Sequence, residues 1–319
     1  SIYILGVAFL FYAGYYLITS IGIFKKRKKV TNNNDDKKNF FAVIIAARNE
    51  ENVIGKLIDS LKKQSYPSEY FDIYVIVNNC TDNTAIEAKK AGAKVISCTE
   101  KVSTKGEVLK YTFDLFKDNN KIDAYAIFDA DNIVHHDFLA KMNDMINSGY
   151  SVAQGFRDTK NISDNWLTSS YAILYYFQSL FLNESRYNMG RSSFLNGTGF
   201  VIKKEVIDKH GFNPKTVTED VEFTAMCAIN NEKIGFATDA ITYDEQTNSF
   251  DVSWKQRKRW SFGTMECLRE YFPTLLKKGI KERNFECFDV GLFYLSVISH
   301  VVFNLLPIFL LINIIIHFD

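Results

Sequence analysis

The stretch Ala124-Tyr125-Ala126-Ile127-Phe128-Asp129-Ala130-Asp131-Asn132 decides how this chain folds. An apolar run that ends abruptly in two carboxylates reads as a buried strand followed by a polar loop at its carboxyl end. Two carboxylates one residue apart at such a place can hold a hard divalent cation, directly or through water, and that cation neutralises a diphosphate. The D-x-D spacing alone is common. Its position after a buried strand gives it weight.

Upstream, short apolar runs alternate with amphipathic helical patterns. Phe40 to Ala46, Ile73 to Val77 and Lys94 to Ile96 read as strands, and Asn52 to Lys63, Asp82 to Ala91 and Thr104 to Phe116 as helices. The alternation predicts βαβ units, hence an α/β fold with a largely parallel sheet. Ligands of such sheets bind beyond the carboxyl ends of the strands. The loops Ala46-Ala47-Arg48-Asn49-Glu50-Glu51 and Asn78-Asn79-Cys80-Thr81-Asp82-Asn83-Thr84 therefore join the D-x-D as candidate binding loops. No G-x-G-x-x-G or G-x-x-x-x-G-K-[ST] follows any strand, which removes the usual dinucleotide and P-loop readings. G-x-S-x-G and H-E-x-x-H are absent as well.

With 38 basic and 37 acidic residues in 319, the net charge is +1, so global charge does not make this a nucleic-acid binder. The apolar residues are concentrated at the two ends. Ile2 to Phe24 carries no charge, and 23 helical residues rise about 34 Å, enough to cross a bilayer core. Lys25-Lys26-Arg27-Lys28-Lys29 follows at once, as on a cytoplasmic flank, and its place after the apolar run favours a retained anchor over a cleaved signal peptide. Val290 to Phe318 is again free of Asp, Glu, Lys and Arg, with Pro307 expected to kink it and His300 and Asn304 as its notable polar side chains. Both segments are expected to place the intervening residues in the cytosol, with Thr31 to Lys38 as a linker. The five cysteines, an odd number without zinc spacing, fit a reducing compartment.

Two later motifs carry chemistry. Thr218-Glu219-Asp220 precedes the helical pattern Val221 to Ile229. Thr218 can cap that helix with acidic residues in its first turn; alternatively one carboxylate is a general base toward an acceptor hydroxyl. Gln256-Arg257-Lys258-Arg259-Trp260 lies in a helix expected over Val252 to Tyr271. It reads as a basic membrane-surface helix, or as Arg259 facing a phosphate with Trp260 offering a flat face to a sugar. Trp166 to Leu182, with Tyr171, Tyr175, Tyr176, Phe177 and Phe181, reads either as core or as a helix at the membrane interface.

In order, Ala46-Ala47-Arg48-Asn49-Glu50, Lys105-Gly106, Asp129-Ala130-Asp131, Asn196-Gly197-Thr198-Gly199, Thr218-Glu219-Asp220 and Gln256-x-x-Arg259-Trp260 resemble the processive, membrane-embedded family 2 glycosyltransferases, which include cellulose, hyaluronan, chitin and poly-N-acetylglucosamine synthases. The resemblance runs over Phe40 to Phe272. It implies a GT-A, Rossmann-like α/β domain with amphipathic interface helices and flanking transmembrane helices, which uses a UDP-sugar with Mg²⁺ or Mn²⁺, inverts the anomeric centre and extends a β-linked polysaccharide. Carried over by position, it implies that Ala46, Arg48, Glu50 and Asn78 flank the uridine and that Lys105 approaches the nucleotide. Asp129 lies on the nucleotide side and Asp131 on the metal. Asp220 is the base with Glu219 its neighbour, Gln256 and Arg259 hold the diphosphate, and Trp260 stacks on the acceptor. Gln154 and the turn Asn196, Gly197, Thr198, Gly199 line the acceptor side. Asn78 stands where many relatives carry Asp, and Asn132 where many carry His.

The same resemblance divides the chain into a transmembrane helix (1–24), a basic juxtamembrane linker (25–39), a UDP-sugar-binding half (40–160), an acceptor-binding half with an interface helix (161–250), the Q-x-x-R-W region (251–289) and a second transmembrane segment (290–318). The expected protein is an integral plasma-membrane enzyme polymerising a β-glucan from UDP-glucose. UDP-N-acetylglucosamine polymerisation, single transfer to a ceramide or diacylglycerol, and a non-catalytic membrane scaffold are the alternatives. Polymer-translocating relatives have further membrane helices, so the chain is expected either to be a piece of a longer protein or to export product by self-association or with an accessory subunit. Its partners are the UDP-sugar, the growing polysaccharide and the lipid bilayer, and no nucleic acid.

Overall fold

A computed structural model of the chain describes residues 2–27, 30 and 37–316, with the backbone alone at 2–5, 300–304, 306 and 313. Lys28, Lys29 and Thr31 to Asp36 of the expected linker, and the side chains of His300 and Asn304, lie outside the described residues. The strands are β1 (Phe41–Ala47), β2 (Phe71–Val77), β3 (Lys94–Ser97), β4 (Ala124–Asp129), β5 (Ile133–Val134), β6 (Val152–Thr159), β7 (Phe200–Lys203) and β8 (Ile234–Asp244). They form one sheet in the order β3-β2-β1-β4-β7-β6-β8-β5. The helices are α1 (Ile2–Ser20), α2 (Ile54–Lys62), α3 (Thr84–Lys90), α4 (Lys105–Leu115), α5 (Phe138–Asn147), α6 (Trp166–Phe177), α7 (Ser185–Asn188), α8 (Lys204–His210), α9 (Glu219–Ile229), α10 (Phe250–Lys281) and α11 (Phe285–Ile316).

β1 shows why the first half of the sheet forms. Phe41, Val43, Ile45 and Ala47 point to one face, against Leu57 and Ile58 of α2 and Leu139 and Met142 of α5. Ala42 and Ile44 point to the other, against Val108, Leu109 and Phe113 of α4 and Phe223 of α9. A strand covered on both faces must be apolar throughout, and each wholly buried Val, Ile or Phe contributes about 1.5–3 kcal/mol. β3, β2, β1 and β4 are parallel, as the sequence predicts. Beyond β4 the sheet becomes mixed, because β7 pairs antiparallel with both β4 and β6. β6, β7 and β8 were not legible as strands: β6 runs Val-Ala-Gln-Gly-Phe-Arg-Asp-Thr, and its polar side chains interrupt the apolar pattern.

α9, α10 and α11 close a further cluster through Ala225, Ala228, Cys267, Tyr271, Leu275, Cys287, Val290 and Tyr294. Among the described residues one segment, Gly6–Phe24, is long and apolar enough to cross a membrane. α11 continues through Pro307 to Ile316. A buried ion pair fastens the two terminal helices to the sheet domain. Arg186 has no accessible side-chain surface. It donates from Nε to Asp289 Oδ2 at 2.8 Å and from Nη2 to the Tyr15 hydroxyl at 2.9 Å. Tyr15 in turn donates to Asp289 Oδ1 at 2.6 Å. Tyr15 belongs to α1, Arg186 to α7 and Asp289 to α11, so one charge pair joins three elements.

Removing one partner strands a buried charge, whereas removing both leaves an apolar contact. Asp289→Ala is therefore expected to cost about 3–5 kcal/mol, and Arg186→Met with Asp289→Leu far less. Chemical denaturation of the three chains in detergent checks this; equal losses would assign the effect to packing.

Candidate active site

The site lies at the carboxyl ends of β1, β2 and β4, where the open-sheet rule places it. α4 begins with a capping box: Thr104 Oγ1 accepts from Glu107 N at 3.2 Å, and the Glu107 carboxylate accepts from Thr104 N at 2.9 Å. The cap fixes Lys105 in the first turn. Its ammonium donates to Asp129 Oδ1 and, at 2.6 Å, to Gly197 O, and stands 3.8 Å from Glu219 Oε1. Lys105 thus gathers the end of β4, the Asn196–Gly199 turn and the start of α9.

That turn is held from beneath. Gln154 Nε2 donates to Thr198 O at 2.8 Å and Gly199 O at 3.1 Å, and its Oε1 accepts from Asn196 N at 3.1 Å. Gln154 is wholly buried, so the expectation that it lines the acceptor side is corrected: it supports the turn from below. Gly197 and Gly199 have φ of +90° and +62°, which an L side chain rarely adopts. A Cβ at Gly199 would meet Thr242 Oγ1 at 2.7 Å. Thr198 Oγ1 accepts from Asp129 N at 3.0 Å and donates to Asn132 Oδ1. Asn132 Nδ2 donates to Asp244 Oδ1 at 2.8 Å and to Asp131 Oδ1 at 3.2 Å.

Sequence reading missed Arg157, Lys160 and Asp244, and did not connect Tyr175 with the site. Arg157 pairs through Nε with Asp244, donates to Asn196 O at 2.7 Å and lies 3.9 Å from the Tyr175 ring centre. Lys160 Nζ donates to Asp131 O at 3.0 Å and pairs with Glu245 at 2.7 Å. A signal existed for Asp244: Ile241-Thr242-Tyr243-Asp244-Glu245 is a β-rich run ending in carboxylates, like the end of β4.

Burial, then the charges of Asp129, Asp244 and Glu50, push the Asp131 carboxyl up to about 7. Burial raises Asp244 to about 6 against the pull of Arg157, and raises Glu50 beside Asp129. An all-oxygen donor set whose negative charges repel one another fits a hard divalent cation. At α9, burial pushes Glu219 up to about 7 against Lys105, and burial also raises Asp220, which the Val221 amide partly offsets. Burial opposes the charge on Lys105, but Asp129 and Glu219 outweigh it and hold its pKa above the ordinary lysine value. Thr218 makes no side-chain cap, contrary to the capping reading. It packs instead against α10, where a Cβ at Gly263 would meet it at 2.5 Å.

α10 therefore crosses the start of α9. Gln256 Oε1 accepts from the Tyr171 hydroxyl at 3.3 Å, and Trp260 meets the Tyr171 ring edge-on at 6.2 Å. Arg259 is exposed on the same helix. Asn78 is buried at the end of β2, with Nδ2 3.5 Å from Val102 O; Ala46 and Glu50 are half-buried and Arg48 is exposed. The structure thus gathers Lys105, Asp129, Asp131, Gln154, Asn196 to Gly199, Glu219 and Asp220 by direct or adjoining contacts. Ala46, Arg48, Asn78, Gln256, Arg259 and Trp260 stand on the surrounding loops and on α10.

Gly199→Ala combines positive-φ strain with the Thr242 collision and is expected to destabilise the protein by about 1–3 kcal/mol. Adding Thr242→Ala should recover only the collision part. A thermal melt that leaves Gly199→Ala unchanged would disprove the tight approach.

A family model described as glycosyltransferase-like family 2 matches residues 38–263. A beta-monoglucosyldiacylglycerol synthase of Synechocystis is 25% identical over 241 residues, covering 70% of this chain and 48% of that protein. The chain spans about half to two thirds of the length of the curated relatives it matches. A mannosyltransferase of Pyrobaculum calidifontis, solved with GDP-Man and Mn²⁺, superposes with a TM-score of 0.67 at 14% identity, covering 94% of this chain and 84% of that one. Glucosyl-3-phosphoglycerate synthase of Mycobacterium tuberculosis, solved with Mn²⁺, UDP-glucose and phosphoglyceric acid, gives 0.51 at 18% identity, covering 76% and 86%. At these identities the structural likenesses establish the GT-A fold.

Proposed function

The chain belongs to glycosyltransferase-like family 2, and we propose that it is a metal-dependent, inverting enzyme that transfers one glucosyl unit from UDP-glucose to a lipid hydroxyl such as that of diacylglycerol. One observation carries the choice of acceptor: the site is bordered by apolar surface. α6 exposes Trp166, Ile173, Leu174 and Phe177, and α10 exposes Phe250, Val252, Trp254 and Phe262. The same two helices hold Tyr171 and Trp260 beside the site. Such faces suit insertion at a membrane interface, where a lipid hydroxyl lies. The likeness to a beta-monoglucosyldiacylglycerol synthase supports the same acceptor. The polymer reading suggested by the motifs has less behind it, since most of those motifs concern the donor and the catalytic base, and an aromatic face such as Trp260 does not tell a glycan from a lipid acceptor.

In this reading Gly6–Phe24 and α11 anchor the protein, with Lys25, Lys26 and Arg27 on the cytosolic side. Ala46, Arg48, Glu50 and Asn78 flank the uridine. The Asn78 amide oxygen can accept the uracil imide proton. Asp131 and Asp129 would hold Mg²⁺ or Mn²⁺, with Asp244 close by. When bound, the cation offsets charge on the departing diphosphate. Lys105, Gln256 and Arg259 add fixed positive charge or hydrogen bonds there. Asp220 takes the acceptor proton as the acceptor oxygen bonds the anomeric carbon and the bond to UDP breaks, and Glu219 beside it tunes its charge. One displacement inverts the centre without a covalent enzyme intermediate.

Incubating the detergent-solubilised protein with diacylglycerol, Mn²⁺ and labelled UDP-glucose should give a lipid carrying one sugar. Immobile, high-mass product would restore the polymer reading, and no UDP release from any UDP-sugar would leave the scaffold.

Asp220→Asn should retain UDP binding and lose about 10²–10⁴-fold in transfer. Since burial raises the Asp220 pKa, the rate should fall with decreasing pH at values above the ordinary carboxylate range, where the base becomes protonated. An acidic limb at or below pH 4 in the parent protein would remove Asp220 from the role.

A further inference from the structure

Asn196 is bound on both sides of its backbone and on neither side of its side chain. Its N–H donates to Gln154 Oε1 at 3.1 Å, and its carbonyl accepts from Arg157 Nη1 at 2.7 Å. Its carboxamide Oδ1 and Nδ2 are both buried and have no hydrogen-bond partner among the described residues. The residue is only 6% exposed. A buried amide left unsatisfied costs stability, and a side chain carrying both an unpaired donor and an unpaired acceptor pays twice. The residue sits where the site is densest. The next residue, Gly197, offers its carbonyl to Lys105, and a Cβ there would lie 3.5 Å from Asp220 Oδ2.

A rigid backbone with an unpaired amide, next to the metal carboxylates and the base, is organised for something that arrives later. A carboxamide that both donates and accepts matches two neighbouring hydroxyls. Diacylglycerol has one hydroxyl, and Asp220 claims it. The donor offers two such pairs, on the ribose and on the hexose. The ribose goes with the uridine toward Ala46, Arg48, Glu50 and Asn78, whereas Asn196 adjoins Gly197 beside Asp220, at the hexose end.

Resting on the transferase reading above, we propose that the Asn196 carboxamide recognises the transferred hexose, with Oδ1 accepting from one ring hydroxyl and Nδ2 donating to a neighbour. This moves Asn196 from the acceptor side, where the sequence motifs put it, to the donor sugar. It also explains why Arg157 and Gln154 are spent on its backbone.

Asn196→Ala and Asn196→Leu separate a recognition role from a structural one. Both should melt at the parent temperature or higher when substrate-free, because an unpaired buried amide is removed. Both should bind UDP as the parent does and lose about 100-fold in kcat/KM for UDP-glucose, with the KM for the lipid unchanged. UDP-glucose analogues lacking single ring hydroxyls complete the test: at least one should be poor for the parent and no worse than UDP-glucose for Asn196→Ala.

A lower melting temperature for both variants would make Asn196 structural, and an equal loss of UDP binding would place its amide on the nucleotide; either overturns the proposal. A loss confined to the acceptor KM would return it to the acceptor side and likewise overturn it. A parent protein that releases no UDP from any UDP-sugar fails at the transferase reading itself. An active parent with unimpaired Asn196 variants refutes only this assignment.

Discussion

Everything at the site depends on the ammonium of Lys105, which reaches three separate stretches of chain from the first turn of one helix. Asp129, the Gly197 carbonyl and Glu219 come from a strand end, a glycine turn and a helix start, and only 21% of the Lys105 side chain is accessible. Charges enclosed in this way gain little net stability, since desolvation offsets attraction. What they secure is geometry. Asp129 and Glu219, placed by different halves of the fold, are held to one cation, and the turn between them is fixed at the same time.

A second cation repeats the arrangement on the other side. Arg157 joins Asp244 at the end of β8 to the Asn196 carbonyl, and Asn132 links Asp244 to Asp131 and Thr198. The carboxylates are bridged through neutral amides and hydroxyls, and burial, with the repulsion from Asp129 added to it, keeps Asp131 and Asp244 unusually basic. That residual charge is what a divalent cation would relieve.

The sequence made visible whatever depends on local pattern. β1 and β4 were legible because a strand covered on both faces is apolar without interruption, β2 and β3 because short apolar runs alternate there with helical patterns, and Asp129 and Asp131 because they end such a run. Lys105 and Asn196 stood out only through ordered resemblance, as no local pattern marks them. Arg157 and Asp244 were hidden because their pairing joins positions 87 residues apart, on strands whose polar side chains disguise them. Gln154 was legible as important and misjudged in role, since a motif does not say whether a side chain faces a ligand or supports the backbone that does. The capping alternative for Thr218 stayed open in the sequence because the packing of Gly263 against it lies far along the chain.

The acceptor was the least legible of all, for a physical reason. Donor binding and proton removal require particular groups at particular spacings, so they leave motifs. A lipid acceptor requires an apolar surface next to the base, and many sequences supply one. In the proposed function it would come from the exposed aromatic and aliphatic side chains on α6 and α10, helices that also bear Tyr171 and Trp260. The Arg186–Asp289–Tyr15 contact ties α1 and α11 to the sheet domain as one body. If those helices set the depth of the protein in a bilayer, that contact fixes the height of Asp220 above the lipid. A hydroxyl at the interface could then meet the base without the lipid leaving the membrane, which a polymer acceptor would not require.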